Sequence, residues 1–144
     1  MHNMTIDVSS LASAISALAD AVGESTRIDA DRAATQSLRD VVHAGVIQSF
    51  EFTYELAWKT LRRVMAAKLG DAALTGVDKQ ELFRLAAKHG WLHDPEKWFE
   101  FNDARNMTSH AYDRVIAEDI YVTAVAFLGV AQALHSELQK RVAP

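Results

Sequence analysis

The stretch Ile47-Gln48-Ser49-Phe50-Glu51-Phe52-Thr53-Tyr54-Glu55-Leu56-Ala57-Trp58-Lys59-Thr60-Leu61 decides the fold. Its residues Ile47, Phe50, Tyr54, Ala57, Trp58 and Leu61 recur three and four apart, which is one face of an α-helix and not the two-residue period of a strand. Val46 before the stretch and Val64 and Met65 after it continue the stripe, so one long helix is expected from about Gln36 to Leu69. Phe52 and Leu56 add apolar surface on a second side. A helix apolar on more than one side sits centrally in a bundle or at a subunit interface. The aromatics Phe50, Phe52, Tyr54 and Trp58 therefore read as core and interface before they read as a platform for nucleobases. The polar remainder, Glu51, Glu55, Lys59 and Arg62, falls on one narrow face, with Glu55 and Lys59 in the favourable i,i+4 order.

The rest of the chain repeats the helical period. Upstream, Ser9 or Ser10 reads as an N-cap for a helix carrying Leu11, Ile15, Leu18, Ala19 and Val22, with Gly23 as its stop. Glu24 to Ala34 reads as a connection or a frayed helix entry. Downstream, Gly70 and Gly76 bracket a loop. Asp78 with Glu81 opens a short helix through Leu82, Phe83, Leu85 and Ala86 that ends at Gly90. Asp94-Pro95 starts another helix, which carries Trp98, Phe99 and Phe101 toward Met107. His110-Ala-Tyr-Asp turns the chain, and Asp113 caps a last helix holding Ile116, Ile120, Tyr121, Ala124, Phe127, Leu128, Ala131, Leu134 and Leu138. Strand and hairpin signals are nearly absent. The expected architecture is all-α, an antiparallel up-and-down bundle of about five helices forming a single domain over residues 1–144.

Composition narrows the function classes. The chain has 144 residues, no cysteine and a formal net charge of −4. Disulfides, thiolate metal sites and cysteine nucleophiles are excluded. The net charge argues against bulk electrostatic binding of nucleic acid, so any RNA contact has to come from a local patch. No stretch approaches the roughly 18–20 apolar residues of a membrane span, and no signal peptide is visible, so the expected location is cytoplasmic. No glycine-rich phosphate loop occurs. His89 and His93 are separated by helix breakers, and no metal site is expected.

The densest polar run is Asn102-Asp103-Ala104-Arg105-Asn106-Met107-Thr108-Ser109-His110-Ala111-Tyr112. On a continuous helix Asp103, Asn106 and His110 share one face, while Arg105, Ser109 and Tyr112 form the next. Arg105 and His110 would then stand roughly 140° apart. They serve one site only if the helix ends before His110 or if two chains pool their residues. Arginine binds phosphate with a planar fork, and histidine is the side chain most readily used as acid or base near neutral pH. Together they can cleave an RNA phosphodiester through its 2′-hydroxyl without a metal. The same residues at a helix end can instead satisfy backbone carbonyls and a carboxylate such as Asp103. Glu51 and Glu55 can serve acid–base work or form a solvated face with Lys59.

Two segments carry a resemblance. The stretch from Ile47 to Leu61 resembles the signature long helix of the nucleotidyltransferase substrate-binding protein family, and Asp103 to Tyr112 resembles that family's second signature. The short helix between them and the Gly-Trp-Leu-His-Asp-Pro segment at 90–95 fit as well, so the likeness spans about Leu11 to Leu138. The family belongs to the HEPN superfamily of small helical bundles, whose hallmark is Arg, often a polar residue next, and His a few residues on. Arg105-Asn106 and His110 match it.

The resemblance implies a fold similar to the helical domain of kanamycin-type nucleotidyltransferases, split off as a separate chain. It implies a homodimer that pairs with a minimal nucleotidyltransferase encoded nearby, with no cofactor of its own and a nucleotide such as ATP bound with the partner. Asp103, Ser109, Glu51, Glu55 and Lys59 are then candidate binding residues. It also implies an alternative within a toxin–antitoxin-type module. There the chain is a metal-independent RNase toxin using Arg105, Asn106 and His110, with Asn106 holding the imidazole, and the partner neutralises it by adenylylating Tyr112.

Overall fold

Helix boundaries follow from side chains that satisfy the free backbone amides at each helix start. The computed structural model describes residues 6–142, so the ends of the domain expected over 1–144 lie outside the described residues. Helix α1 runs Ser9–Ala30, α2 Gln36–Leu69, α3 Lys79–Lys88, α4 Pro95–Asn106 and α5 Arg114–Val142. Thr35 caps α2, its hydroxyl accepting from the Leu38 amide at 3.0 Å. Asp78 caps α3 through the Glu81 amide at 2.8 Å, and Asp113 caps α5 through Val115 and Ile116 at 2.9 and 3.2 Å.

Three expectations change. The N-cap position of α1 is Val8 rather than Ser9 or Ser10, and Asp7 just before it accepts from the Ser9 amide at 2.8 Å. Gly23 does not stop α1. The helix continues to Ala30 because Ser25 and Ile28 are buried against the bundle, and tertiary packing of one more turn outweighs glycine's helix cost of about 1 kcal/mol. Helix α5 is also more apolar than expected. Its 29 residues include an 18-residue window of mean hydropathy 1.5, which by length and composition alone would suit a membrane span. Only 22% of that window is buried within this chain, so much of an apolar helix remains available to other surfaces.

Of the three long helices, α1 runs against the other two. Asp29 of α1 meets His43 of α2 while Thr53 of α2 reaches back to the Ala14 carbonyl, so these two are antiparallel. The pairs Asp40–Arg114, His43–Tyr121 and Phe50–Phe127 show α2 and α5 running the same way across the bundle. Phe127 is the centre of the core. Its ring meets Phe50, Trp98 and Phe101 edge-on at centroid distances of 5.3, 5.5 and 4.9 Å, the geometry aromatic quadrupoles prefer. Among the expected long-helix aromatics, Phe50 and Tyr54 are fully buried, Trp58 is half-buried and Phe52 is 63% exposed.

Candidate functional site

The polar run from Asn102 to Tyr112 crosses a break in the backbone. Helix α4 ends at Asn106, and Thr108–His110 forms a separate 3-10 turn. The Thr108 hydroxyl donates to the Arg105 carbonyl at 2.8 Å, and the His110 amide donates to the Met107 carbonyl at 2.9 Å. These bonds use carbonyls that a continuing helix would have paired. The face that Asp103, Asn106 and His110 would have shared therefore stops at Asn106. The helix does end before His110, which meets the first of the two conditions for Arg105 and His110 to serve one site.

Arg105 is held from across the bundle. Its Nε donates to Glu55 Oε1 at 3.1 Å, and its Nη2 lies 3.5 Å from Glu51 Oε1. The carboxylate partners come from α2 and not from Asp103, which is exposed. Glu55 is itself fixed, accepting from the Trp58 indole at 3.1 Å with Lys59 Nζ at 3.6 Å. The arginine side chain keeps 28% of its surface exposed. Its Nη1 also lies 3.5 Å from the Thr108 hydroxyl, so all three guanidinium nitrogens have protein partners, and a phosphate reaching the exposed part of the side chain would share their N–H groups with Glu51 and Thr108.

The neighbouring groups are open. His110, Asn106 and Ser109 are exposed, and Asn106 makes no side-chain hydrogen bond to the imidazole. Tyr112 is 86% exposed, with its ring centroid 6.1 Å from that of His110. A cleft of about 430 Å³ lies between α2, the 3-10 turn and the start of α5, with Glu51, Thr108 and Tyr112 on its wall.

One positioning residue carried no role in the sequence reading. Asn102 accepts from both the Tyr54 hydroxyl at 3.1 Å and Lys79 Nζ at 3.0 Å, tying α4 to α2 and α3 one turn before Arg105. Lys79 also stands over the Trp58 ring at 4.6 Å. Burial pushes the Tyr54 phenol well above its ordinary value, so it remains a neutral donor. The signal that could have found this network was the polar Asn102 on the apolar stripe of α4.

Comparisons with known proteins identify the family and the fold. Residues 6–140 match the family model described as "Nucleotidyltransferase substrate binding protein like". A Haemophilus influenzae protein named "Probable ribonuclease HepT" is 35% identical over 107 residues, covering 72% of each chain. A solved Haemophilus influenzae structure, described as revealing the fold of a substrate binding domain of a nucleotidyltransferase, superposes with a TM-score of 0.82 at 28% identity. That match covers 92% of this chain and 99% of the other. A Thermus thermophilus structure matches with a TM-score of 0.64 at 23% identity over 85% and 98% of the two chains, and shows a shared fold.

Proposed function

The chain belongs to the nucleotidyltransferase substrate-binding protein-like family, and from that premise we propose that it is the helical binding subunit of a two-chain nucleotidyltransferase. It docks as a homodimer on a minimal catalytic subunit encoded nearby, in a cytoplasmic module of toxin–antitoxin type. The nucleotide, such as ATP, binds with that partner. The observation that carries this reading is the part-exposed Arg105 fixed by Glu51 and Glu55, with Glu51 also lining the cleft that holds the exposed Tyr112. Exposed apolar residues support self-association. Leu38, Val41 and Phe52 recur on the outer side of α2, opposite the buried stripe, where large apolar groups are costly unless a partner covers them. A twofold axis along that side would bring two Arg105–His110 clusters toward one cleft. Co-purification with the neighbouring nucleotidyltransferase under mild salt tests it. Recovery of a stoichiometric complex is expected, and a clean failure to recover one removes the reading's support.

A second reading is supported by the helix break between Arg105 and His110, which removes the separation a continuous helix would impose, and by the relative named as a probable ribonuclease. Arg105 would bind the scissile phosphate as the 2′-hydroxyl gives its proton to solvent and its oxygen attacks phosphorus. The bond to the 5′-oxygen breaks, and His110 delivers the proton to that leaving oxygen, giving a 2′,3′-cyclic phosphate and a 5′-hydroxyl. Adenylylation would silence it. The Tyr112 oxygen would attack the α-phosphorus of ATP, pyrophosphate would leave and the phenolic proton would pass to solvent. The added phosphate would then occupy the place of an RNA phosphate. Expression of the chain alone should stop growth, and His110→Ala should restore it. Normal growth with uncut RNA overturns this second reading.

A further inference from the structure

A groove runs between α4 and α5, and no residue of α2 lines it. The two helices are antiparallel there. Glu100 to Met107 face Ile116 to Thr123 at one end, and Asp94 to Trp98 face Gly129 to Glu137 at the other. An apolar hollow lies at each end. The first, of about 250 Å³, is floored by Ala104, Met107, Ile116 and Ile120, with Met107 39% exposed. The second, of about 240 Å³, is walled by Trp91, Leu92, Trp98, Gly129, Ala133 and Leu134. Ile120 and Leu134 stand in the two hollows on one helix, so the helical rise per residue sets the hollows about 20 Å apart.

Between the hollows the helix surface is bare. From Ile120 to Ser136, α5 carries no Asp, Glu, Lys or Arg, and Ala126, Gly129 and Ala133 are exposed on it. A methyl added at Gly129 would meet open space, so nothing in the chain covers the backbone there. Residues this small let a second helix pack with its axis about 8–10 Å away. An uncharged, exposed helix face joining two apolar hollows is costly in water unless a partner covers it. The charges at the first hollow say what kind of partner. Glu100, Asp103 and Asp119 are exposed on its rim, and none of the three forms an ion pair among the described residues. At the second hollow Glu137 is matched by Arg141 at 2.9 Å, and Lys97 is exposed. The uncompensated negative charge is thus confined to one end of the groove. The same three carboxylates would repel an anionic lipid surface, which favours a protein over a membrane as the cover.

We propose that the α4–α5 groove docks a basic amphipathic helix of the catalytic subunit. That helix lies along α5, placing large apolar side chains about 14 residues apart in the two hollows and lysines or arginines beside Glu100, Asp103 and Asp119. Opposite charge at the rim steers the encounter and fixes which end of the helix meets which hollow. Because the groove is made without α2, it leaves the outer face of α2 free for the second copy. That the helix belongs to a nucleotidyltransferase rests on the binding-subunit reading; its basic, amphipathic character rests on the groove alone.

The test titrates the full-length chain by calorimetry with two probes, the neighbouring nucleotidyltransferase and a synthetic helical peptide of leucines and lysines with its leucines set for the two hollows. Two variants alter only exposed positions of the groove: the pair Glu100→Lys with Asp119→Lys reverses the rim, and Ala133→Trp fills the second hollow. Each should melt as the parent does and bind the catalytic subunit about tenfold more weakly, and parent binding should weaken as salt is raised. A catalytic subunit that binds parent and variants alike docks elsewhere and overturns the proposal. If it binds neither, the binding-subunit reading fails and the peptide alone decides the groove. Saturable peptide binding that both variants weaken keeps the groove as a site for a basic helix, whereas no binding, or binding indifferent to the variants, overturns it. Binding to phosphatidylserine vesicles that Ala133→Trp abolishes would overturn a protein occupant.

Discussion

Replacing Arg105 by alanine separates a residue kept for a site from one kept for the fold. The Arg105 and Glu55 side chains are each 28% exposed, so their 3.1 Å pair is neither a surface pair nor a fully buried one. Exposed pairs contribute about 0.2–1 kcal/mol, whereas removing one partner of a buried pair costs about 3–5 kcal/mol because the other charge is stranded. Here Glu55 would not be stranded. It keeps the Trp58 indole at 3.1 Å and Lys59 at 3.6 Å, and Glu51 is 41% exposed. The expected loss is therefore about 1 kcal/mol, or about 2–4 °C in Tm for a domain near this size. Urea titration followed by far-UV circular dichroism measures it, and a double-mutant cycle with Glu55→Gln should give a coupling of about 0.5–1 kcal/mol. The same variant should lose phosphate-dependent binding altogether. A loss above about 3 kcal/mol would refute the reasoning, since it would make Arg105 a structural strut.

Four further outcomes follow from particular residues. Gly23→Ala should raise stability by about 0.5–1 kcal/mol in a denaturant melt, because α1 runs through Gly23 and a methyl there meets open space. Phe127→Ala should cost about 3–5 kcal/mol, read by the same melt, since the ring is fully buried among Phe50, Trp98 and Phe101. Burial raises the Tyr54 pKa in the folded state, so the unfolded chain ionises first and stability falls as pH rises above the ordinary value of 10.0. Tyr54→Phe should flatten that alkaline decline in melts taken across it. Phe52→Arg should shift the chain toward monomer by light scattering with little change in melting, because the side chain is 63% exposed within one protomer.

Much of this was readable in the sequence, for a physical reason. The long helix was legible because burial at 3.6-residue spacing is a periodic constraint, and Phe50, Tyr54 and Leu61 are indeed sealed in the core. Caps at Asp78 and Asp113 were legible because they act within three residues. The extension of α1 past Gly23 was not, since Ser25 is held there by Tyr121, 96 residues away. The same limit hid the partners of Arg105. Local spacing offered Asp103, but the carboxylates that bind it, Glu51 and Glu55, arrive from α2 through tertiary packing. The contacts of His43 with Asp29 and Tyr121 join three helices and leave no local pattern at all.

Native mass spectrometry of the chain expressed together with the neighbouring nucleotidyltransferase tests the central claim most directly. The account predicts a complex containing two copies of this chain with the catalytic subunit bound. It also predicts that this complex persists at moderate ionic strength and gives way to free catalytic subunit when the outer face of α2 carries Phe52→Arg. Detection of the two proteins only as separate species, with this chain monomeric, would contradict it.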